Sequence, residues 1–206
     1  MKRIQKRLAT EPHPTKVALL EVVKEMIGEF GADGFTVEMV LAESGISRGS
    51  LYHHFEDFPD LVEEALLDIN RTNVVTSIEL VRHELAGVRT KDEFLDAVGR
   101  VTRALHSPER FKARVDRVRM LAVCGNDERF RKRFGDTQAE VIMAFADVIA
   151  DAQARGVVRA DFDPKVLATF MSAYTTGVIL NDVSSDPVSY DDWNALVADV
   201  IERFVS

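Results

Sequence analysis

The sequence predicts an all-α chain: an N-terminal helix-turn-helix domain of three helices, followed by a helical bundle. Three observations carry this. Apolar residues recur at three- and four-residue spacing, and no alternating strand pattern or internal repeat appears. Gly, Ser, Thr and Asp punctuate those stripes where helices need stops and caps. Residues 35–55, FTVEMVLAESGISRGSLYHHF, place two short stripes around one tight turn.

Taken in order, the chain opens with a basic arm, residues 1–14, holding Lys2, Arg3, Lys6 and Arg7 and closing at Pro12 and Pro14. Thr15 is the expected cap of a first helix that runs to about Gly31, with Leu19, Val22, Val23, Met26, Ile27 and Phe30 on its apolar side. Thr36 caps the second helix, because its hydroxyl accepts from an unpaired first-turn N–H. Val37, Val40 and Leu41 form its stripe, and Gly45 stops it in a conformation few other residues tolerate. Ile46 pins the turn and Ser47 caps the third helix, which Leu51 and Phe55, four apart, anchor inward. Asp57 is the expected cap of a fourth helix, with Pro59 in its first turn, running toward Leu80 and broken by Gly87.

Thr90 and Glu93 form a capping box opening a helix with Phe94, Val98, Val101 and Leu105 on one side. Ser107-Pro108 starts the next, which ends near Gly125. Asn126 is expected to cap a long segment to Gly156, bent near Gly135. Asp163-Pro164 and Ser189 with Asp192 start the last two helices. The predicted domains are residues 15–57 and 58–206 behind the arm.

The third helix carries the chemistry. Its outer face holds Arg48, Gly49, Ser50, Tyr52 and His53. A helix N-terminus attracts phosphate, so Ser47 and the adjacent N–H groups suit the DNA backbone. Arg48 can pair with a phosphate or fork onto a guanine edge. Gly49 and Ser50 are small enough for the helix to sink into the major groove, and the Tyr52 hydroxyl can reach a phosphate oxygen. With Thr36, these residues form the candidate DNA-binding set. A solvated hairpin face is the plainer reading, but the Thr cap, Gly turn, Ser cap and Tyr-His-His-Phe ending together point to a helix-turn-helix.

Residues 15–67 resemble the DNA-binding domain of the TetR family of transcriptional regulators. The resemblance rests on Phe30-Gly31, Gly34-Phe35-Thr36-Val37 and the run from Ser44 to Phe55. It implies a homodimer with a separate ligand pocket, binding double-stranded operator DNA with two half-sites. One position departs: where the family often has a backbone-holding Lys at the start of the fourth helix, this chain has Phe58 followed by Pro59.

Composition sets bounds. The 206 residues carry a net charge of −8, which is unusual for a DNA binder. Its distribution matters more than its total. Residues 1–55 hold seven basic and seven acidic residues, so the excess acid lies beyond them. Screening over about 8–10 Å keeps that distant acid from opposing a reading face. The one cysteine, Cys124, allows no internal disulfide, fits a reducing cytoplasm, and reads as an inert buried thiol. No apolar run is long enough to span a membrane, and the basic arm lacks the apolar core of a signal peptide. His53 and His54 point about 100° apart on a helix and do not clamp one metal. With no phosphate loop, nucleophile elbow or spaced His/Cys set, the sequence offers no enzyme site, and no cofactor or metal is expected.

The bundle poses two further questions. Phe94, Val98, Leu105, Met120, Phe134, Met143 and Tyr174 are the candidate ligand-lining residues, although such residues taken singly are more often core. Thr102, Asn126, Gln138, Thr175 and Asn181 are candidate polar groups at the pocket's edge. Phe170, Trp193, Val197, Val200 and Phe204, on the last two helices, are the candidate dimerisation residues. The basic runs 110–119 and 129–133 read as solvated faces; an acidic ligand is the sharper alternative. The function expected is a ligand-responsive repressor whose small, mostly apolar effector alters the spacing of two reading heads. The alternatives are a DNA-binding architectural or interaction protein without an inducer, and a helical enzyme or carrier whose hairpin mimics the motif.

Overall fold

His13, not Thr15, starts the first helix. In the computed structural model, which describes residues 13–204 apart from the side chain of Asn126, His13 Nδ1 accepts from Thr15 N at 3.2 Å and Pro14 takes the first helical position. Proline's fixed φ and missing N–H suit that place, so the helix gains two residues over the expected start. The basic arm and its Lys2, Arg3, Lys6 and Arg7 lie outside the described residues.

The described chain is helical throughout, with no strand. In order it forms α1 (Pro14–Phe30), α2 (Val37–Ser44), α3 (Arg48–His54), α4 (Phe58–Leu85), α5 (Lys91–His106), a 3₁₀ turn (Pro108–Arg110), α6 (Phe111–Asn126), α7 (Glu128–Ala154), α8 (Pro164–Gly177), α9 (Ile179–Asp182) and α10 (Tyr190–Glu202).

Packing divides it into two compact units that meet in sequence at Ile69 and Asn70, within α4. In the first, Leu19, Val23 and Ile27 of α1 are buried with Val40, Leu51, Phe55, Leu61 and Ala65. Lys16 lies over the Phe55 ring at 5.3 Å, and Phe35 meets Phe58 edge-on at 5.8 Å. Phe58, the departure from the family's Lys, thus packs on an apolar neighbour.

The second unit centres on Phe94, Ala97, Val98 and Val101 of α5, Ile142, Ala146 and Ile149 of α7, Leu167 and Ala168 of α8, and Val197 and Ile201 of α10. Thr90 and Glu93 close their capping box as expected, and Asp163 and Ser189 cap α8 and α10. Two expectations fail. Asp127, not Asn126, caps α7, accepting from Phe130 N at 2.8 Å. Nor does Gly135 interrupt that helix, which is unbroken for 27 residues. Gly135 is exposed with open space around it, and one such glycine costs only about 1 kcal/mol, too little to end a helix held by a buried face.

Candidate nucleic-acid face and ligand cavity

Three caps build the reading segment. The Thr36 hydroxyl accepts from Met39 N at 3.4 Å and starts α2. Gly45 then adopts φ +65°, the left-handed turn the sequence requires of it. The Ser47 hydroxyl accepts from Ser50 N at 3.2 Å and starts α3. Leu51 and Phe55 point inward and are buried. The opposite face is left outward: Thr36, Ser47, Arg48, Gly49, Tyr52 and His53 are exposed, Ser50 half-buried.

Two details refine that face. Arg48 Nη2 donates to Glu38 Oε1 of α2 at 2.6 Å, so its guanidinium is paired across the turn. The backbone N–H of Glu38 itself, then Arg48, hold the Glu38 carboxyl below its usual range. Gly49 has helical backbone, and a Cβ added there would meet nothing within 4 Å. The fold itself does not demand glycine at that position. Beside this face, the His54 ring lies tilted against His13 with centroids 4.8 Å apart and meets His53 edge-on at 5.1 Å. Partial burial and the neighbouring charges of His13, His53 and Lys16 hold it below its ordinary pKa.

Within the second unit lies a cavity of about 160 Å³ between α4, α5, α6, α7 and α8. Five of the seven expected lining residues, Phe94, Val98, Leu105, Met120 and Tyr174, line it. Phe134 and Met143 do not. Phe134 is buried in a stack on Phe130 with centroids 6.0 Å apart, and Met143 is 48% exposed on the outer side of α7. Thr102 and Thr175 line the cavity beside Tyr174, whose burial raises its pKa. Gln138 stands behind the wall as an acceptor for Arg117, and Asn181 is tied instead to the backbone of Val188. The side chain of Asn126 lies outside the described residues.

The basic run 110–119 is only in part the solvated face the sequence suggests: Lys112 and Arg119 are exposed, the other three are not. Arg110, Arg114 and Arg117 line the cavity, with Ala113 and Met120 on the same side of α6. Arg114 is buried and forks onto Asp182, Nε to Oδ2 at 2.6 Å and Nη2 to Oδ1 at 3.1 Å, while Nη1 reaches the carbonyls of Leu105 and Ser107. Tyr190 donates its hydroxyl to the same Asp182. Arg117 donates to Thr176 Oγ1 at 3.1 Å and Gln138 Oε1 at 2.8 Å. The 110, 113, 114, 117, 120 spacing is the signal that these arginines share a buried side with Met120. Asn70 and Ser77 of α4, which sequence reasoning did not select, also line the cavity.

Of the candidate dimerisation residues, Phe170 is exposed and meets Phe204 with centroids 6.1 Å apart. Trp193, Val200 and Phe204 are half-buried. Val197, at 8% exposure, belongs to the unit's own core; one position away, and so about 100° around the helix, Leu196 is 60% exposed. Val166 of α8 and Leu180 of α9 are exposed as well. Cys124 is half-buried rather than buried, and partial desolvation raises its thiol pKa. No helix among the described residues is long and apolar enough to cross a membrane.

Comparison with known proteins places both units. Residues 19–65 match the model for bacterial regulatory proteins of the tetR family, and residues 117–206 match that for the C-terminal part of BetI-type transcriptional repressors. A transcriptional repressor of Mycobacterium tuberculosis, Rv1474c, is 26% identical over 190 residues, covering 91% of this chain and 90% of its own. Among solved structures, a TetR-family regulator from Rhodococcus sp. superposes with a TM-score of 0.69 at 25% identity, over 93% of this chain and 98% of its own. A transcriptional regulator from Saccharomonospora viridis, solved in complex with choline, gives 0.64 at 22% identity, over 92% and 96%.

Proposed function

We propose that this chain, which belongs to the TetR family of transcriptional regulators, is a homodimeric repressor released from its operator by a small, mostly apolar ligand. The observation that carries the DNA-binding part is the outward face of α3: a side of small and hydrogen-bonding residues standing on two buried anchors, with a glycine the fold itself does not need. In this reading α3 of each subunit enters the major groove, with Gly49 and Ser50 allowing close approach. Arg48 exchanges Glu38 for a phosphate or a guanine edge, and Tyr52, Ser47 and Thr36 hold the backbone. His53 sits at the edge of the same contact. The basic arm follows the neighbouring phosphates.

Two such heads need a fixed separation, which a dimer supplies. Support for a dimer comes from the exposed apolar side chains Val166, Phe170 and Leu196 on α8 and α10. What supports a ligand is the cavity and its mostly apolar wall. One continuous helix, α4, contributes to both compact units and lines the cavity with its later turns. Ligand that binds the DNA-incompetent state more tightly shifts the equilibrium through that helix. Both DNA-binding and the single reduced cysteine fit a cytoplasmic protein.

The test is a footprint on the DNA flanking the gene, with excess random DNA as competitor. Protection of two half-sites about 34–36 Å apart is expected. Binding that random DNA competes away on equal terms would remove the reading.

A further inference from the structure

Charge in the cavity is unbalanced. Three arginines line it and no Asp or Glu does. Arg114 is neutralised by Asp182, but the other two are not. Arg110 has the Ser77 hydroxyl as its hydrogen-bond acceptor, and Arg117 has only neutral oxygens, those of Thr176, Gln138 and Ser172. Among the described residues, neither forms an ion pair, and nothing accepts from Arg117 Nη1. Arg117 keeps its proton under any ordinary condition, so burial leaves a charged fork without a counter-ion. A second donor in the same wall is orphaned as well: Asn70 is 3% exposed, and its Nδ2 has no partner among the described residues. Buried polar groups are seldom left unmatched unless something else completes them.

We propose that the ligand is an organic carboxylate, its acid head held by Arg117 and Asn70 and its apolar body lying among Phe94, Val98, Leu105 and Met120. This deepens the ligand-responsive reading above and rests on it for the biological role. With Nε and Nη2 of Arg117 already donating, Nη1 is the open donor, and a carboxylate there supplies the missing counter-charge. The volume limits the body: a cavity of about 150 Å³ holds one benzene-sized molecule, so about 160 Å³ suits a single ring or a short chain. A phosphate head, with more charge and three acceptor oxygens, asks for more donors than this wall leaves open. A cationic ligand meets like charge.

The experiment is isothermal titration of the full-length protein, without DNA, against matched acid and amide pairs: benzoate and benzamide, phenylacetate and phenylacetamide, hexanoate and hexanamide. Phenylphosphonate and choline complete the panel. At least one acid should bind tenfold or more tightly over its amide, the range for a hydrogen bond to a charged group. Arg117→Met should reduce that preference to under threefold. If Arg117→Met does not fold, Arg117→Lys, which keeps the charge and loses the Nη1 donor, should lower the preference severalfold. The proposal is overturned if no acid outbinds its amide, silence across the panel included, if choline or the phosphonate binds tightest, or if the folded variant keeps the preference. Operator release is scored separately. Acid binding that leaves the DNA complex intact upholds the carboxylate site and removes the inducer role. Release by an amide or choline, with no acid bound, does the opposite.

Discussion

The two units treat their arginines in opposite ways. On the reading face, Arg48 sits in the open beside Glu38, half exposed and ten residues from its partner. In the bundle, Arg114 and Arg117 are both withdrawn from water: Arg114 forks onto Asp182, 68 positions away, and Arg117 donates to neutral groups 21 to 59 positions away. An exposed ion pair in water contributes little to stability, whereas a buried guanidinium stripped of its partner is costly. In the first unit, little stability therefore holds Arg48 to Glu38, as the proposed exchange for a phosphate requires. The second cannot release Arg114, and it holds Arg117 incompletely satisfied.

The sharpest way to break that contrast is Asp182→Ala. Asp182 is 1% exposed at its side chain and accepts from both Arg114 and Tyr190, so its loss should destabilise the chain by about 3–5 kcal/mol in urea unfolding. A loss under 1 kcal/mol would show that the pair is not sealed from water. Arg48→Ala should do the reverse. Stability and dimer mass, read by light scattering, stay near the parent's, while operator affinity drops about tenfold to a hundredfold, as for a lost base or phosphate fork. Undiminished mobility shift of the operator would mean that α3 is not the reading helix.

Gly49→Ala separates fold from function within one residue. The open space around Gly49 and its helical backbone predict a gain of about 0.5–1 kcal/mol in stability. The added methyl should at the same time weaken operator binding. Effects of the same sign on both would show that this glycine serves the fold.

The smallest effect concerns pH. His106 is buried, with Nδ1 on Asn194 Oδ1 at 3.0 Å, Nε2 unpartnered among the described residues, and the Tyr174 and Trp193 rings beside it. Burial holds its pKa below the ordinary 6.5, with the Arg114 charge adding to the effect and Asn194 and Asp182 opposing it. Above about pH 6.5 both folded and unfolded forms are neutral, and this group contributes no slope. As pH falls below that value the unfolded chain takes the proton first, so Tm should decline. His106→Gln should flatten the decline, and an unchanged slope would assign it to other groups.

The same division explains what the sequence discloses. Thr36, Gly45, Ser47, Thr90, Glu93, Asp163 and Ser189 act through bonds spanning two to four residues, and each stands where local rules put it. The burial of Arg114 depends on Asp182, whose four-residue helix α9 carries no periodic signal of its own. Local charge alternation in 110–119 favours a wet surface, and only the tertiary partners reverse that for Arg110, Arg114 and Arg117. Val197 and Leu196 show the same limit at finer grain: both are apolar, and only the neighbours decide which one faces the core. Five of seven proposed lining residues meet at the cavity because a helical stripe is readable, whereas the orphaned Asn70 amide is visible only once its surroundings are known.

If α3 reads DNA as proposed, Glu38 has a consequence for how the protein searches a chromosome. A carboxylate already clasping that helix's arginine would then compete with every phosphate that drifts past, discouraging casual encounters with bulk DNA and keeping sliding loose. A cognate site, offering a fork of acceptors in the right place, would displace Glu38 and gain the arginine. Neutralising that acid should make the protein stickier toward all duplexes at low salt while narrowing the margin between right and wrong sequences.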